Sequence, residues 1–138
     1  MANLSYGYLE GLRLLVPFKV KASETWVSDS IMSLDSNGYL QPAAAGENAI
    51  GFAFDPLVTA VSNDGDIELL VDISRETLYL FPPDEGTVTQ ALVGKTCDVG
   101  GVQSINIDAT VDDCIFIRRV DTVNNLCIVS LQPIPAGV

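Results

Sequence analysis

The sequence predicts an all-β protein, a single-domain antiparallel β-sandwich or barrel with short loops and at most one short helix. Apolar and polar residues alternate over short segments, and turn-forming residues separate these segments at regular intervals. A chain of 138 residues fits one domain with an ordinary core. Hydrophobic residues make up 48% of the chain and charged residues 18%, a balance that excludes a disordered polymer.

The first strand is predicted within residues 12–21. The even-numbered residues from 12 to 20 are all apolar, whereas the odd-numbered ones include Arg13, Pro17 and Lys19. This period of two is that of a strand, and Pro17 indicates an edge or bulged strand because it has no N–H to donate. Residues 1–11 are short and glycine-rich, so we expect an N-terminal arm before a β-domain formed by residues 12–138.

Turn chemistry predicts two hairpins. Asn37-Gly38 separates two short apolar runs, and both residues tolerate the positive φ of a tight turn. A closing hairpin pairs residues 114–120 with residues 126–131, and the numbers of facing residues should sum to about 246. Further strands are predicted at residues 49–55, 66–73, 77–81 and 104–108, and one helical turn or two at residues 87–93.

The strand at residues 66–73 is predicted to have one apolar and one polar face. Its odd-numbered residues from 67 to 73 are all Ile, Leu or Val, whereas Glu68 and Asp72 share the opposite face. We therefore expect both carboxylates on the face opposite the one that carries these apolar residues.

The three cysteines are predicted to be reduced and mostly buried. Cys114 and Cys127 have numbers that sum to 241, which places them out of register in the closing hairpin and too far apart for a relaxed disulfide. Cys97 has no close partner in the sequence. The favoured interpretation is three small buried hydrophobic side chains, and the alternative is a redox or metal role.

The charge balance disfavours nucleic acid and anionic membranes as partners. Eighteen Asp and Glu residues against seven Lys and Arg give a net charge of -11, whereas nucleic-acid binding needs a basic face. The adjacent pair Arg118-Arg119 lies in a predicted strand, where alternation should send the two side chains to opposite faces. There is no long apolar run and no secretion signal, so we expect the chain to stay in the cytoplasm where it is made.

The composition predicts a protein that is not an enzyme. The chain has no histidine, which removes the commonest general base, nucleophile partner and zinc ligand. Residues 63–66 could suggest a calcium loop, and Asp108, Asp112 and Asp113 an acid/base hydrolase, but both acidic groups fit solvated turns better. We therefore expect no catalytic residues, no cofactor and no metal.

Four segments resemble tailed-phage head decoration, or capsid cement, proteins. They are residues 27–43 (VSDSIMSLDSNGYLQPA), 46–53 (GENAIGFA), 65–71 (GDIELLV) and 92–99 (LVGKTCDV) ahead of the closing hairpin. The resemblance extends over about residues 12–132. It implies a β-barrel or sandwich that forms homotrimers on the outer surface of the virion, where it binds the major capsid protein and braces the expanded head.

Such proteins often contact the capsid through an N-terminal arm, so the resemblance places the contacts near the start of the chain. The expected capsid-contact residues are Tyr6, Tyr8, Leu9 and Arg13, with the tyrosines as aromatic anchors. The family has no catalytic residues to transfer. The alternative function is a carbohydrate- or receptor-binding β-module of a virion, such as a head fibre or a tail-associated domain, although only 7% of the residues are aromatic.

Overall fold

The structure, a computed structural model, describes residues 7–110 and 114–132. Within these residues the chain forms two antiparallel sheets and one 3₁₀ turn, Gln90–Leu92. This confirms the predicted all-β class and the limit of one short helix. The strands are β1 (Gly7–Glu10), β2 (Leu15–Lys19), β3 (Ile31–Leu34), β4 (Leu40–Pro42), β5 (Gly51–Ala53), β6 (Glu68–Asp72), β7 (Leu78–Phe81), β8 (Thr96–Gly101), β9 (Ser104–Asn106), β10 (Ile115–Asp121) and β11 (Leu126–Leu131).

The two sheets divide the strands unequally. Six strands form one sheet in the order β1-β7-β11-β10-β8-β9, and five form the other in the order β2-β6-β5-β3-β4. The predicted hairpin around Asn37-Gly38 is the β3–β4 pair, and Gly38 has the positive φ of 85° that its turn requires. β8 is a strand that was not predicted from the sequence, since its last two residues are the glycines Gly100 and Gly101, which are rare in strands.

The edge position predicted from Pro17 is confirmed, because β2 is the outermost strand of the five-stranded sheet and pairs only with β6. The apolar face of this segment is buried at one end only. Val20 is fully buried, whereas Leu12 and Leu14 lie before the strand begins and are 92% and 55% exposed. The alternating apolar residues therefore begin outside the core, in solvent, and become fully buried only at Val20.

The first described residues do not form a free arm. Residues 7–10 are strand β1, which pairs antiparallel with β7, so this part of the expected N-terminal arm belongs to the six-stranded sheet. The strand fits closely: a Cβ at Gly7, whose φ is +111°, would lie 2.5 Å from an oxygen of Asp29. The physical reason is that β7 offers an unpaired edge which β1 covers. Tyr6 and the rest of the first six residues lie outside the described residues.

The closing hairpin has nearly the predicted register. Ile115 faces Leu131, a sum of 246, but beyond a β-bulge that follows Ile117 the sum becomes 247, as where Asp121 faces Leu126. A bulge adds one residue to one strand only, which accounts for the shift by one.

The same bulge overturns the prediction for the two adjacent arginines. Arg119 faces Ile128, and Arg118 donates a hydrogen bond from Nε to the Oγ of Ser130 at 3.0 Å. Ile128 and Ser130 are two residues apart in β11 and so share a face. Because the bulge interrupts the alternation, both arginines lie over the outer face of the six-stranded sheet.

Aromatic rings form the centre of the core between the sheets. Phe52 of β5 stacks on Tyr79 of β7 with ring centroids 3.8 Å apart, and Phe81 lies beside both. All three side chains are at most 1% exposed. Burying each contributes about 1.5–3 kcal/mol, with about 1 kcal/mol more from the ring contacts. A second cluster covers the other face of the five-stranded sheet, with Trp26 and Val71 among its members.

The described cysteines match the prediction. None of the three is in a disulfide; Cys97 and Cys127 are fully buried and Cys114 is half-buried. Burial raises the pKa of Cys127 to about 11, which keeps this thiol protonated and unreactive at neutral pH.

Titration of thiols with a disulfide reagent at about pH 8 tests this arrangement. We expect one equivalent, from Cys114, to react in the folded protein and three after denaturation without reductant. The variant Cys114→Ser should abolish the reaction of the folded protein. Fewer than three thiols in the denatured protein would show that a disulfide exists and contradict the structure.

The close approach of β5 and β6 at Gly51 generates a second prediction. A Cβ at Gly51 would lie 2.3 Å from the backbone oxygen of Asp72, so Gly51→Ala should lower the free energy of unfolding by about 2–3 kcal/mol. The control is Gly38→Ala, which has open space around its Cβ and should cost about 1 kcal/mol through its left-handed backbone alone. Chemical denaturation that ranks Gly38→Ala as the worse variant would contradict this account.

Candidate interaction surface

The segment from β1 to the start of β2 exposes an unusual number of large apolar side chains. Tyr8 is 40% exposed, Leu9 43%, Leu12 92% and Leu14 55%. Single exposed hydrophobic residues are common on soluble proteins, but a concentration of them indicates a binding surface. We call these four residues, together with Arg13 and Phe54, the interaction surface.

The guanidinium group of Arg13 lies over two aromatic rings of this surface. Its guanidinium carbon lies 3.7 Å from the ring centroid of Tyr8 and 5.1 Å from that of Phe54. One of its terminal nitrogens is 3.7 Å from a carboxylate oxygen of Asp29. The planar cation is thus stacked and ion-paired, an arrangement that fixes an arginine side chain well.

The structure brings together part of the set predicted from the sequence. Tyr8 and Arg13 are in direct contact, and Leu9 lies exposed next to Tyr8 in the same strand. Sequence reasoning missed Asp29 and Phe54, which complete the cluster. They are distant in the chain, and neither stands in a recognisable motif.

Asp29 connects β1 to the five-stranded sheet. Its carboxylate accepts a hydrogen bond from the backbone N–H of Tyr8 at 3.2 Å, and its own N–H donates to the carbonyl of Ala53 at 2.7 Å. Its φ of 66° is in the left-handed region, which Asp tolerates better than most residues. With this backbone conformation, the Asp29 carboxylate points towards β1 and Arg13.

A buried carboxylate fixes the link that carries the exposed leucines. Asp72 accepts hydrogen bonds from the hydroxyl of Tyr79 at 2.7 Å and from the N–H groups of Leu14 and Ser74, both at 3.0 Å. The hydroxyl of Thr77 also donates to the carbonyl of Leu12 at 2.9 Å. Backbone groups on both sides of Arg13 are thereby held in place.

The two carboxylates of β6 differ in burial. The alternation predicts Glu68 and Asp72 on the same face, but Glu68 is exposed and Asp72 is fully buried. Three donors, of which Leu14 and Tyr79 lie in other segments, compensate the cost of burying a carboxylate. The same environment raises the pKa of Tyr79 far above its ordinary value, first through burial and then through the hydrogen bond to Asp72.

The surface rests directly on the core. The Tyr8 ring packs edge-on against Tyr79 with centroids 5.9 Å apart, and its hydroxyl donates to the carbonyl of Gly11 at 2.7 Å. Tyr8 is therefore ordered before any partner binds, which lowers the entropic cost of binding.

An apolar groove lies on the same two loops that supply Asp29 and Phe54. It has a volume of about 270 Å³ and is lined by Thr25, Trp26, Val27, Pro56, Leu57 and Val58. Trp26 forms its floor, with the indole N–H donating to the carbonyl of Asp55 at 2.9 Å. Val27 and Val58 at the rim are 58% and 84% exposed.

Two of the acidic side chains that could suggest chemistry accept hydrogen bonds from backbone N–H groups. Asp64 and Asp66 accept hydrogen bonds from the N–H groups of Ala22 and Asn63. Asp108 is exposed, and Asp112 and Asp113 lie outside the described residues. Residues 7–110 and 114–132 contain no group of three or more His, Cys, Asp or Glu placed to hold a metal ion.

A larger open cavity of about 450 Å³ is lined by Leu92, Gly94, Lys95, Thr96, Ile107 and Thr110. Lys95 is the only charged residue among these, and they include no carboxylate to pair with it in acid/base chemistry. In the part of the chain that the structure describes, no helix is long and apolar enough to cross a membrane.

Fold and site together define an all-β, two-sheet protein with an ordered, partly apolar interaction surface. Comparison with known proteins finds no matching family model, no matching curated protein and no matching solved structure. The resemblance to phage decoration proteins, the absence of enzyme activity and the capsid-contact role of Tyr8, Leu9 and Arg13 therefore stay predictions.

The Asp72 network generates a test. Tyr79→Phe keeps the ring stack but removes one donor from a buried carboxylate, so it should lower the free energy of unfolding by about 1–3 kcal/mol. The matched control is Tyr39→Phe, because the Tyr39 hydroxyl makes no hydrogen bond to any described residue and its loss should have little effect. Equal unfolding free energies for the two variants would show that the network does not stabilise the fold.

Proposed function

We propose that the protein is a viral capsid decoration (cement) protein that binds the outer surface of the expanded head and stabilises contacts between major capsid subunits. The observation that carries the binding role is the concentration of exposed apolar side chains from Tyr8 to Leu14 on an ordered β framework. The capsid is proposed as the partner because of the four sequence segments that resemble this family.

The energetics suit a protein that acts by binding. Leu12 and Leu14 are largely exposed, and burying such side chains against a partner contributes about 1.5–3 kcal/mol each. The link between them is fixed by Asp72 and Thr77, so little conformational entropy is lost on binding. Assembly as a homotrimer would multiply this modest affinity, because three linked surfaces then bind a symmetric site.

The acidic composition supports the same function. A net charge of -11 keeps unassembled copies apart at high concentration. It also keeps them from binding nucleic acid before they reach the outside of the particle.

The test mixes purified protein with expanded, undecorated capsids of the virus that encodes it. We expect co-sedimentation and a higher capsid melting temperature. Leu12→Asp should weaken binding at least about tenfold, since it removes a buried leucine and adds a desolvated charge.

The matched control is Val123→Asp, which introduces the same charge at a position 88% exposed in the turn of the closing hairpin. This variant should bind like the original protein. If the unmodified protein neither co-sediments with the capsids nor stabilises them, the proposed function is wrong. If both variants bind equally well, the capsid does not contact the interaction surface.

A further inference from the structure

A second surface lies on the outer face of the six-stranded sheet. Three of the seven basic residues of the chain, Arg75, Arg118 and Arg119, gather there. Arg118 and Arg119 share this face because of the bulge in β10. Arg75 lies beside them in the loop between β6 and β7. We call these three residues the arginine face.

The guanidinium group of Arg118 is positioned by neutral groups. Its Nε donates to Ser130 Oγ at 3.0 Å and one terminal nitrogen donates to the carbonyl of Arg75 at 3.2 Å. Its central carbon lies 4.9 Å from the ring centroid of Phe116. These contacts fix the orientation of the side chain, and none of them supplies a negative charge.

Arg75 is in the same situation. It is exposed and donates a hydrogen bond to the backbone carbonyl of Gln132. Among the described residues, neither Arg75 nor Arg118 has a carboxylate within ion-pair distance, although acidic residues outnumber basic ones by eighteen to seven. Arg13 and Lys21, by contrast, each have a carboxylate within 4.0 Å.

The third arginine is paired, but weakly. Arg119 lies 2.9 Å from a carboxylate oxygen of Glu10, and both side chains are 59% exposed. Ion pairs this exposed contribute little to stability and exchange readily with other carboxylates.

We propose that the arginine face binds an acidic segment of a partner protein, a loop or terminus whose Asp or Glu carboxylates pair with Arg75 and Arg118. The guanidinium fork matches a carboxylate in shape and charge, and the orientation of Arg118 is set in advance. An extended nucleic acid is a poorer match, because the chain's net charge of -11 repels a long polyanion beyond the contact itself. This inference does not rest on the proposed function.

The experiment measures fluorescence anisotropy of a fluorescein-labelled hexaglutamate peptide with the full chain. At low ionic strength we expect saturable binding, and at about 0.5 M NaCl a large loss of affinity. Arg75→Gln and Arg118→Gln should each weaken binding about fivefold, and the double variant should bind no peptide detectably.

Lys19→Gln is the matched control, since it changes the net charge by the same amount at an exposed position on β2, in the other sheet, and should leave binding unchanged. Thermal unfolding checks that each variant folds. If Arg118→Gln is unfolded, Arg75→Gln, whose side chain is exposed, decides the test.

Four results would overturn the proposal. The first is no saturable binding by the unmodified protein, and the second is an equal loss in Lys19→Gln, which would indicate a general charge effect. The third is tighter, arginine-dependent binding of a thymidine hexanucleotide, which would identify a nucleic acid as the ligand. The fourth is self-association in sedimentation velocity that Arg118→Gln abolishes, which would assign the arginine face to a second copy of the chain.

Discussion

The stack of Phe52 on Tyr79 is the contact on which the rest of the structure depends. The two rings come from different sheets and lie 3.8 Å apart, so they set the spacing at which the sheets pack. Because the Tyr79 hydroxyl is buried, it needs an acceptor, and Asp72 supplies it from the opposite sheet. The second oxygen of Asp72 then holds the N–H of Leu14. One buried contact thereby determines where the exposed link between β1 and β2 lies.

This dependence explains how an exposed surface can be ordered without a partner. Tyr8 packs edge-on against the same Tyr79 ring, and Arg13 lies over Tyr8. The surface is therefore an outward continuation of the core. Leu12, at 92% exposed, is the most solvent-exposed side chain of this surface, and the Thr77 hydroxyl donates a hydrogen bond to its backbone carbonyl. Such an arrangement exposes apolar area but requires little reorganisation on binding, which supports the proposed binding role.

The two surfaces described here differ in chemistry. The interaction surface is apolar and aromatic around one ion-paired arginine, whereas two of the three cations on the arginine face, Arg75 and Arg118, are held by neutral groups. The net charge of -11 is a property of the whole chain and does not reveal the local charge of either surface. The location of charge depends on the bulge in β10, which brings Arg118 and Arg119 to one face. A protein with two unlike surfaces can bind two partners, or two parts of one partner, at the same time.

The sequence by itself determined the all-β class, the two hairpins, the edge position of β2 and the reduced cysteines, because alternation, turn residues and a proline act within a few residues of the chain. It also placed Tyr8 and Arg13 in one predicted contact set, and the role of that set stays a prediction. Only the tertiary structure decided the bulge, the pairing of β1 and the burial of Asp72, and only there do Asp29 and Phe54 meet Arg13. Whether a polar side chain is buried depends on donors and rings from distant segments, and local periodicity carries no information about them.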